Sequence, residues 1–208
     1  MLRCEKLVKI YKGKTEVRAI DDISFSINDA EIVGLLGPNG AGKTTTIKSL
    51  CCLINPSSGK IWIDGIDVTK NPYFAYNKIT SVLEGNRNIY WRLTVKENLI
   101  FFAGLMGYSY KYRKDQINEL INIFKLKEKT NTEARFLSRG MQQKLAIACE
   151  LIKDTEIILL DEPTLRLDVE STHEVQNLLK NEMVNKGRTI HLSSHNIRII
   201  ENVCERVI

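Results

Sequence analysis

The chain lacks any run of apolar residues long enough to cross a bilayer. Its longest, Leu99–Met106 and Ile157–Leu160, fall far short of the roughly 20 residues that a spanning helix needs. It lacks the apolar core of a secretory signal, since it begins MLRCEKLVKIYKGK. It has no C-x-x-C pair and no cysteine–histidine cluster of zinc type. Cys4, Cys51, Cys52, Cys149 and Cys204 therefore read as reduced, mostly buried thiols of a cytosolic setting. No internal repeat and no low-complexity tract is visible. Neither sign of charge dominates: the net charge of +5 over 208 residues permits anionic partners but does not demand them. A chain that is 43% hydrophobic and 26% charged is ordinary for a globular domain, which argues against disorder.

What is present alternates between strand and helix. LRCEKLVKIY and VRAIDDISFSI read as strands joined by a turn at Lys12–Lys14. EIVGLLG (Glu31–Gly37) is a buried strand, followed by a glycine-rich loop and a helix from Lys43 to about Leu53. GKIWIDG and ITSVLEG are further strands. From Thr94 to about Ile152 the pattern turns helical, with stripes at Leu99, Phe102, Ala103 and Met106, at Ile117, Leu120, Ile121 and Phe124, and at Met141, Leu145, Ala148, Cys149 and Ile152. EIILLD (Glu156–Asp161) returns to strand, a helix covers Val169–Met183, RTIHLSS is a strand and IRIIENVCE a short helix. This order implies an α/β protein with a parallel sheet and a helical insert.

GPNGAGKTT, Gly37 to Thr45, fits G-x-x-x-x-G-K-[ST] and sits between a strand and a helix, the context that this phosphate-binding loop requires. Glycines let successive N–H groups wrap phosphate oxygens, and the helix start adds its positive end. Gly37, Pro38, Asn39, Gly40, Ala41, Gly42, Lys43, Thr44 and Thr45 are thus the nucleotide-binding candidates, with Lys43 reaching the β- and γ-phosphates and Thr44 a ligand of Mg²⁺. A second pair of carboxylates ends the strand IILLDEP. Asp161 is placed to hold Mg²⁺ and Glu162 to polarise the attacking water, because strands of a parallel sheet deliver to one edge. In FLSRGMQQK, Ser138 reads as a helix cap followed by Arg139 and Gly140. A cation is disfavoured at a helix start, so Arg139 makes sense if an anion comes to sit there.

The order P-loop, helical insert, LSRGMQQK, IILLDEP, LRLD, SSH resembles the ATP-binding domain of ATP-binding-cassette (ABC) transporters over nearly the whole chain. The resemblance implies a P-loop NTPase fold with a RecA-like parallel-sheet core, an N-terminal antiparallel β region and an inserted α-helical subdomain. It implies one domain over 1–208, with its core in 1–85 and 155–208 and the helical subdomain at about 86–154. Glu162 then corresponds to the catalytic base and His195 to a γ-phosphate contact. Asp168 falls in the loop that signals between subunits, and Tyr11 falls where an aromatic stacks on adenine. Leu137, Ser138 and Gly140 match the signature loop, usually Leu-Ser-Gly-Gly-Gln, which caps the ATP held by a second subunit. The implied ligands are ATP and Mg²⁺. The implied partners are a second copy or a paralogous subunit, and a separate membrane permease at whose cytoplasmic face the chain works.

Three departures stand out. Arg139 and Met141 replace signature residues. Glu84 stands where the family has a metal-ligating glutamine, and a carboxylate serves Mg²⁺ at least as well. The chain ends at CERVI, where relatives continue with a further strand and hairpin, so a truncated domain with an unfinished sheet strand is expected. RNIYWRLTVKENL…FFAGLMG resembles the drug- and antibiotic-export branch, and Tyr90–Trp91 are candidates to dock the permease. The competing readings are a soluble ABC-type ATPase acting on nucleic acid or ribosomes and a catalytically weak ATP-gated switch. The chain has neither the long coiled coil, the second cassette nor the zinc modules of the nucleic-acid relatives, so no nucleic acid is expected as partner.

Overall fold

Alternation of apolar and polar residues in 2–11 and 17–27 makes two strands with one face to the core, β1 (Leu2–Tyr11) and β2 (Val17–Ile27). With β4 (Ser58–Ile63) and β5 (Ile66–Asp67) they form an antiparallel sheet in the order β2-β1-β4-β5. The continuous aliphatic runs make the other sheet, which is parallel and ordered β6-β7-β8-β3-β9. Its strands are β3 (Ile32–Leu36), β6 (Ile79–Val82), β7 (Ile157–Asp161), β8 (Thr189–Ser194) and β9 (Arg206–Val207). Every residue of β7 and β8 is buried, as expected of strands covered on both faces. This computed structural model describes residues 1–85, 88–165, 167–180 and 187–208.

The helices are α1 (Lys43–Leu50), α2 (Pro72–Lys78), α3 (Val95–Leu105), α4 (Tyr110–Ile123), α5 (Arg139–Leu151), α6 (Val169–Leu178) and α7 (Ile197–Val203). Strand periodicity divides the core in two. Ile158 and Leu160 of β7 join Leu99, Ile117, Leu120 and Leu145 from the helical stretch. Ile157 and Leu159, pointing the other way, join Ile47 and Leu50 of α1 and Leu2, Ile61 and Ile63 of the antiparallel sheet. A buried tie also links α5 to the sheet, where Glu150 accepts from Thr80 of β6. The carboxyl ends of β3, β6, β7 and β8 lie at one edge of the parallel sheet, where Gly37, Glu84, Asp161 and His195 emerge.

The structure differs from the sequence expectation in several places. Helix α1 stops at Leu50, because Cys52 adopts φ 56° and turns the chain before Leu53. The short α2 and β5 were not anticipated. Helix α2 buries only Ala75 and leaves Tyr73 and Tyr76 exposed, so it carries no apolar stripe to read. The last residues add β9 beside β3, where Ile208 both donates to Gly34 and accepts from Leu36. The strand β9 is only two residues long and forms the edge of the parallel sheet. The last part of the helix expected at Val169–Met183, residues 181–183, lies outside the described residues. All five cysteines are free, with Cys4, Cys51 and Cys149 buried and Cys52 and Cys204 half-buried. Burial pushes the Cys51 and Cys204 thiols up to about 12, which keeps them protonated and unreactive.

Candidate active site

The loop between β3 and α1 is held against the antiparallel sheet. Gly42, the N-cap of α1, has φ 89°, and a Cβ there would lie 2.1 Å from the carbonyl oxygen of Ala19. Only glycine fits both the conformation and the space. No acidic side chain lies in the first turn of α1, so its N–H groups remain available to an anion. Lys43 folds back over the loop and donates to the carbonyls of Gly37 (2.8 Å) and Pro38 (3.2 Å). Its ammonium lies 3.3 Å from Glu162 Oε1, both side chains being buried.

The end of β7 supplies the acidic half. Asp161 is 1% exposed and accepts from Thr44 Oγ1 at 2.7 Å and from Ser193 Oγ at 2.7 Å. Glu162 departs from the strand with φ 49°, a strained value for a non-glycine residue, which turns it out of the ladder. Its backbone N–H donates to the Ser193 carbonyl (3.2 Å) and hydroxyl (3.1 Å). Its carboxylate lies 3.0 Å from His195 Nδ1 and accepts from Ser194 Oγ at 3.4 Å. Glu162 and His195 face a cavity of about 490 Å³ lined also by Asn39, Gly40, Gly42, Lys43, Thr44, Thr45 and Glu84, with Ala19 and Leu165 in its wall.

Lys43, Thr44, Glu162 and His195 are thus brought together, with Asp161 tied to them through Thr44. Ser193, which holds both carboxylate residues, was missed as a site residue. The only signal for it was its place beside Ser194 and His195. Tyr11 is half-exposed at the end of β1, with Lys9 Nζ 5.2 Å from its ring centre, and does not line the cavity. Ala19 of β2 is the contribution of the antiparallel sheet. Among the described residues no three His, Cys, Asp or Glu side chains converge as a metal cage. A Thr hydroxyl bonded to an Asp carboxylate suits a cation such as Mg²⁺ that keeps waters and phosphate oxygens as its other ligands.

The signature stretch lies apart from this cavity. Leu137 is buried in the core, while Ser138 is exposed and caps α5, accepting from Met141 N at 3.3 Å. Gly140 is buried, and a Cβ on it would lie 2.4 Å from Ser171 Oγ. Its lack of a side chain therefore lets α5 pack closely on α6. Ser171 in turn donates through its N–H (2.7 Å) and hydroxyl (3.1 Å) to Asp168, the N-cap of α6. Those bonds hold the exposed Asp168 carboxyl below the usual range. Ser171, unnoticed in the sequence, links the signature helix to the Asp168 loop.

A phosphate loop at the carboxyl edge of a parallel sheet, facing an Asp–Glu pair, defines a P-loop nucleotide-binding protein. The family model described as "ABC transporter" matches residues 20–165. The chain is 38% identical over 195 residues to ABC transporter ATP-binding protein NatA of Bacillus subtilis, covering 94% of this chain and 79% of that protein. It is 32% identical over 211 residues to Methionine import ATP-binding protein MetN of Carboxydothermus hydrogenoformans, covering 100% of this chain and 62% of that one. Among solved structures, the dimeric ATP-binding cassette MJ0796 bound to ADP and Pi superposes with a TM-score of 0.85 at 28% identity, covering 100% of this chain and 93% of that chain. The chain belongs to the ABC transporter family, as an ATP-binding subunit or domain. Its fold is the P-loop NTPase cassette.

Proposed function

We propose that this chain is the Mg²⁺-dependent ATPase subunit of an exporter, acting as a head-to-tail dimer at the cytoplasmic face of a membrane permease. The observation that carries the reading is the convergence of Lys43, Thr44, Glu162 and His195 on one cavity, with Asp161 bonded to Thr44. Residues Gly37 to Thr45 cradle the phosphates, and Lys43 exchanges Glu162 for the γ-phosphate when ATP enters. Thr44, Asp161 and Glu84 would hold Mg²⁺, which would supply positive charge to the phosphates. Once free of Lys43, Glu162 takes a proton from the attacking water, with His195 beside it holding the γ-phosphate. Ser138 and the first turn of α5 cap the ATP of the second subunit. Gly140 and Asp168, joined through Ser171, carry that contact to α6.

No helix among the described residues is long and apolar enough to cross a membrane, so a separate permease fits this reading. Tyr90 and Trp91, both more than a third exposed, are the proposed docking aromatics. Export is proposed from the RNIYWRLTVKENL…FFAGLMG stretch, and the relative named for methionine import is the counterweight to it. Tyr11 keeps its proposed adenine contact only if it moves toward the loop.

Phosphate release from ATP tests the reading. The assembled complex should turn over ATP, and Glu162→Gln should bind ATP yet lose at least about 100-fold in rate. Release by the parent no faster than by Glu162→Gln would instead support an ATP-gated switch.

A further inference from the structure

A second cavity of about 110 Å³ opens between the start of α5 and the carboxyl edge of the sheet. Glu84, Asp161 and Glu162 line it, and Arg139 is the one cation among its described lining residues. Two of those carboxylates are already engaged. Asp161 accepts from Thr44 and Ser193, and Glu162 faces Lys43 and His195. Glu84 makes no hydrogen bond or ion pair among the described residues, and neither does Arg139. Nearby Arg135 is committed to Glu133 at 2.8 Å and to the ring of Phe136. Among the described residues, one unpartnered anion and one unpartnered cation thus line one small cleft. Arg139 stands at the first helical position of α5, whose positive end disfavours a guanidinium. A carboxylate lining the same cleft would offset that cost.

We propose that Arg139 is the counter-charge of Glu84 within its own subunit, competing with Mg²⁺ for that carboxylate. The proposal rests on the reading of Glu84 as a metal ligand. It gives Arg139 a role in its own subunit, distinct from a contact with ATP on the second one. Metal loading and the signature loop are then coupled: Mg²⁺ takes Glu84, and Arg139 is freed toward the anion that the second subunit presents.

The test is Mn²⁺ binding, read by electron paramagnetic resonance, to the ADP-saturated chain at concentrations where it is monomeric. Monomers remove any contact from a second subunit. Arg139→Ala should tighten Mn²⁺ about five-fold, the effect of removing one unit charge facing another in a solvent-filled cleft. Arg139→Lys should behave as the parent. In a Glu84→Gln background, Arg139→Ala should change the affinity less than about two-fold. Unchanged or weaker binding in Arg139→Ala overturns the proposal. So does an equal effect in both backgrounds, which would mean a general field rather than a pairing. ADP binding without metal is measured alongside. Its absence in the parent would count against the nucleotide reading itself, whereas normal ADP binding with unchanged Mn²⁺ affinity would count against Arg139 alone.

Discussion

The two halves of the proposed ATP site are built in opposite ways. The phosphate-loop half is finished inside one subunit: Lys43, Asp161 and Glu162 are each at most 9% exposed, and each is held by at least two partners. The signature half is open. Ser138 and Arg139 stand exposed at the start of α5, and no residue of that stretch lines the cavity around Lys43. The first half must orient charge in a dry setting, so its cost is met when the sheet folds. In the proposed dimer the second half meets a surface that folding does not supply, and its backbone is held by the Ser138 cap and by Gly140 packed on Ser171.

The sharpest way to break this contrast is Gly42→Ala. A methyl 2.1 Å from the Ala19 carbonyl cannot be seated, and left-handed φ adds roughly 1–2 kcal/mol. Loss of ATP binding in an equilibrium titration is expected, and binding within two-fold of the parent would mean that the loop is not rigid. The buried half should also carry an acid liability. His191 of β8 is fully buried, its Nδ1 lies 3.2 Å from the Val33 carbonyl and its Nε2 has no partner among the described residues. Burial lowers it to about 4, from 6.5 unfolded. The unfolded chain then binds the proton first as pH falls. This contribution to stability is intact above pH 6.5 and is lost toward pH 4, by roughly 3 kcal/mol. Urea titrations across that range should show the slope in the parent and its loss in His191→Gln.

In the open half the effects should be smaller. Gly140→Ala crowds Ser171 and should lower stability by about 1–3 kcal/mol, with Ser171→Gly restoring most of it. Thermal melts of the single and double variants decide this, and no rescue would mean that Gly140 is needed for something other than packing. Ser138→Ala removes a cap worth about 1 kcal/mol. It should leave ATP affinity of the monomer unchanged while lowering turnover by dimers. Weaker monomer binding would place Ser138 in its own subunit's site.

Local chemistry was legible in the sequence, and distant chemistry was not. The P-loop, Asp161 and Glu162 are written in adjacent residues, because backbone wrapping and strand-end placement are short-range properties. The parallel sheet followed from aliphatic runs such as IILL, which need cover on both faces. Ser193 escaped notice because its partners, Asp161 and Glu162, lie on a neighbouring strand and nothing in a serine announces them. The Gly140–Ser171 contact escaped for the same reason, being a product of two helices crossing. Helix α2 had no stripe to read, since solvent covers most of it. Arg139 was legible as a puzzle only; that it lines a cleft with Glu84 required the fold.

The central claim is that each ATP site joins the phosphate loop of one subunit to the signature loop of another. Mixing two inactive variants, Lys43→Ala and Ser138→Arg, tests it most directly. In mixed dimers one site carries both lesions and the other carries neither. The account predicts that an equimolar mixture regains about a quarter of the parent's ATP turnover, the share of intact sites under random pairing. Turnover no greater than the sum of the two separate variants would contradict it.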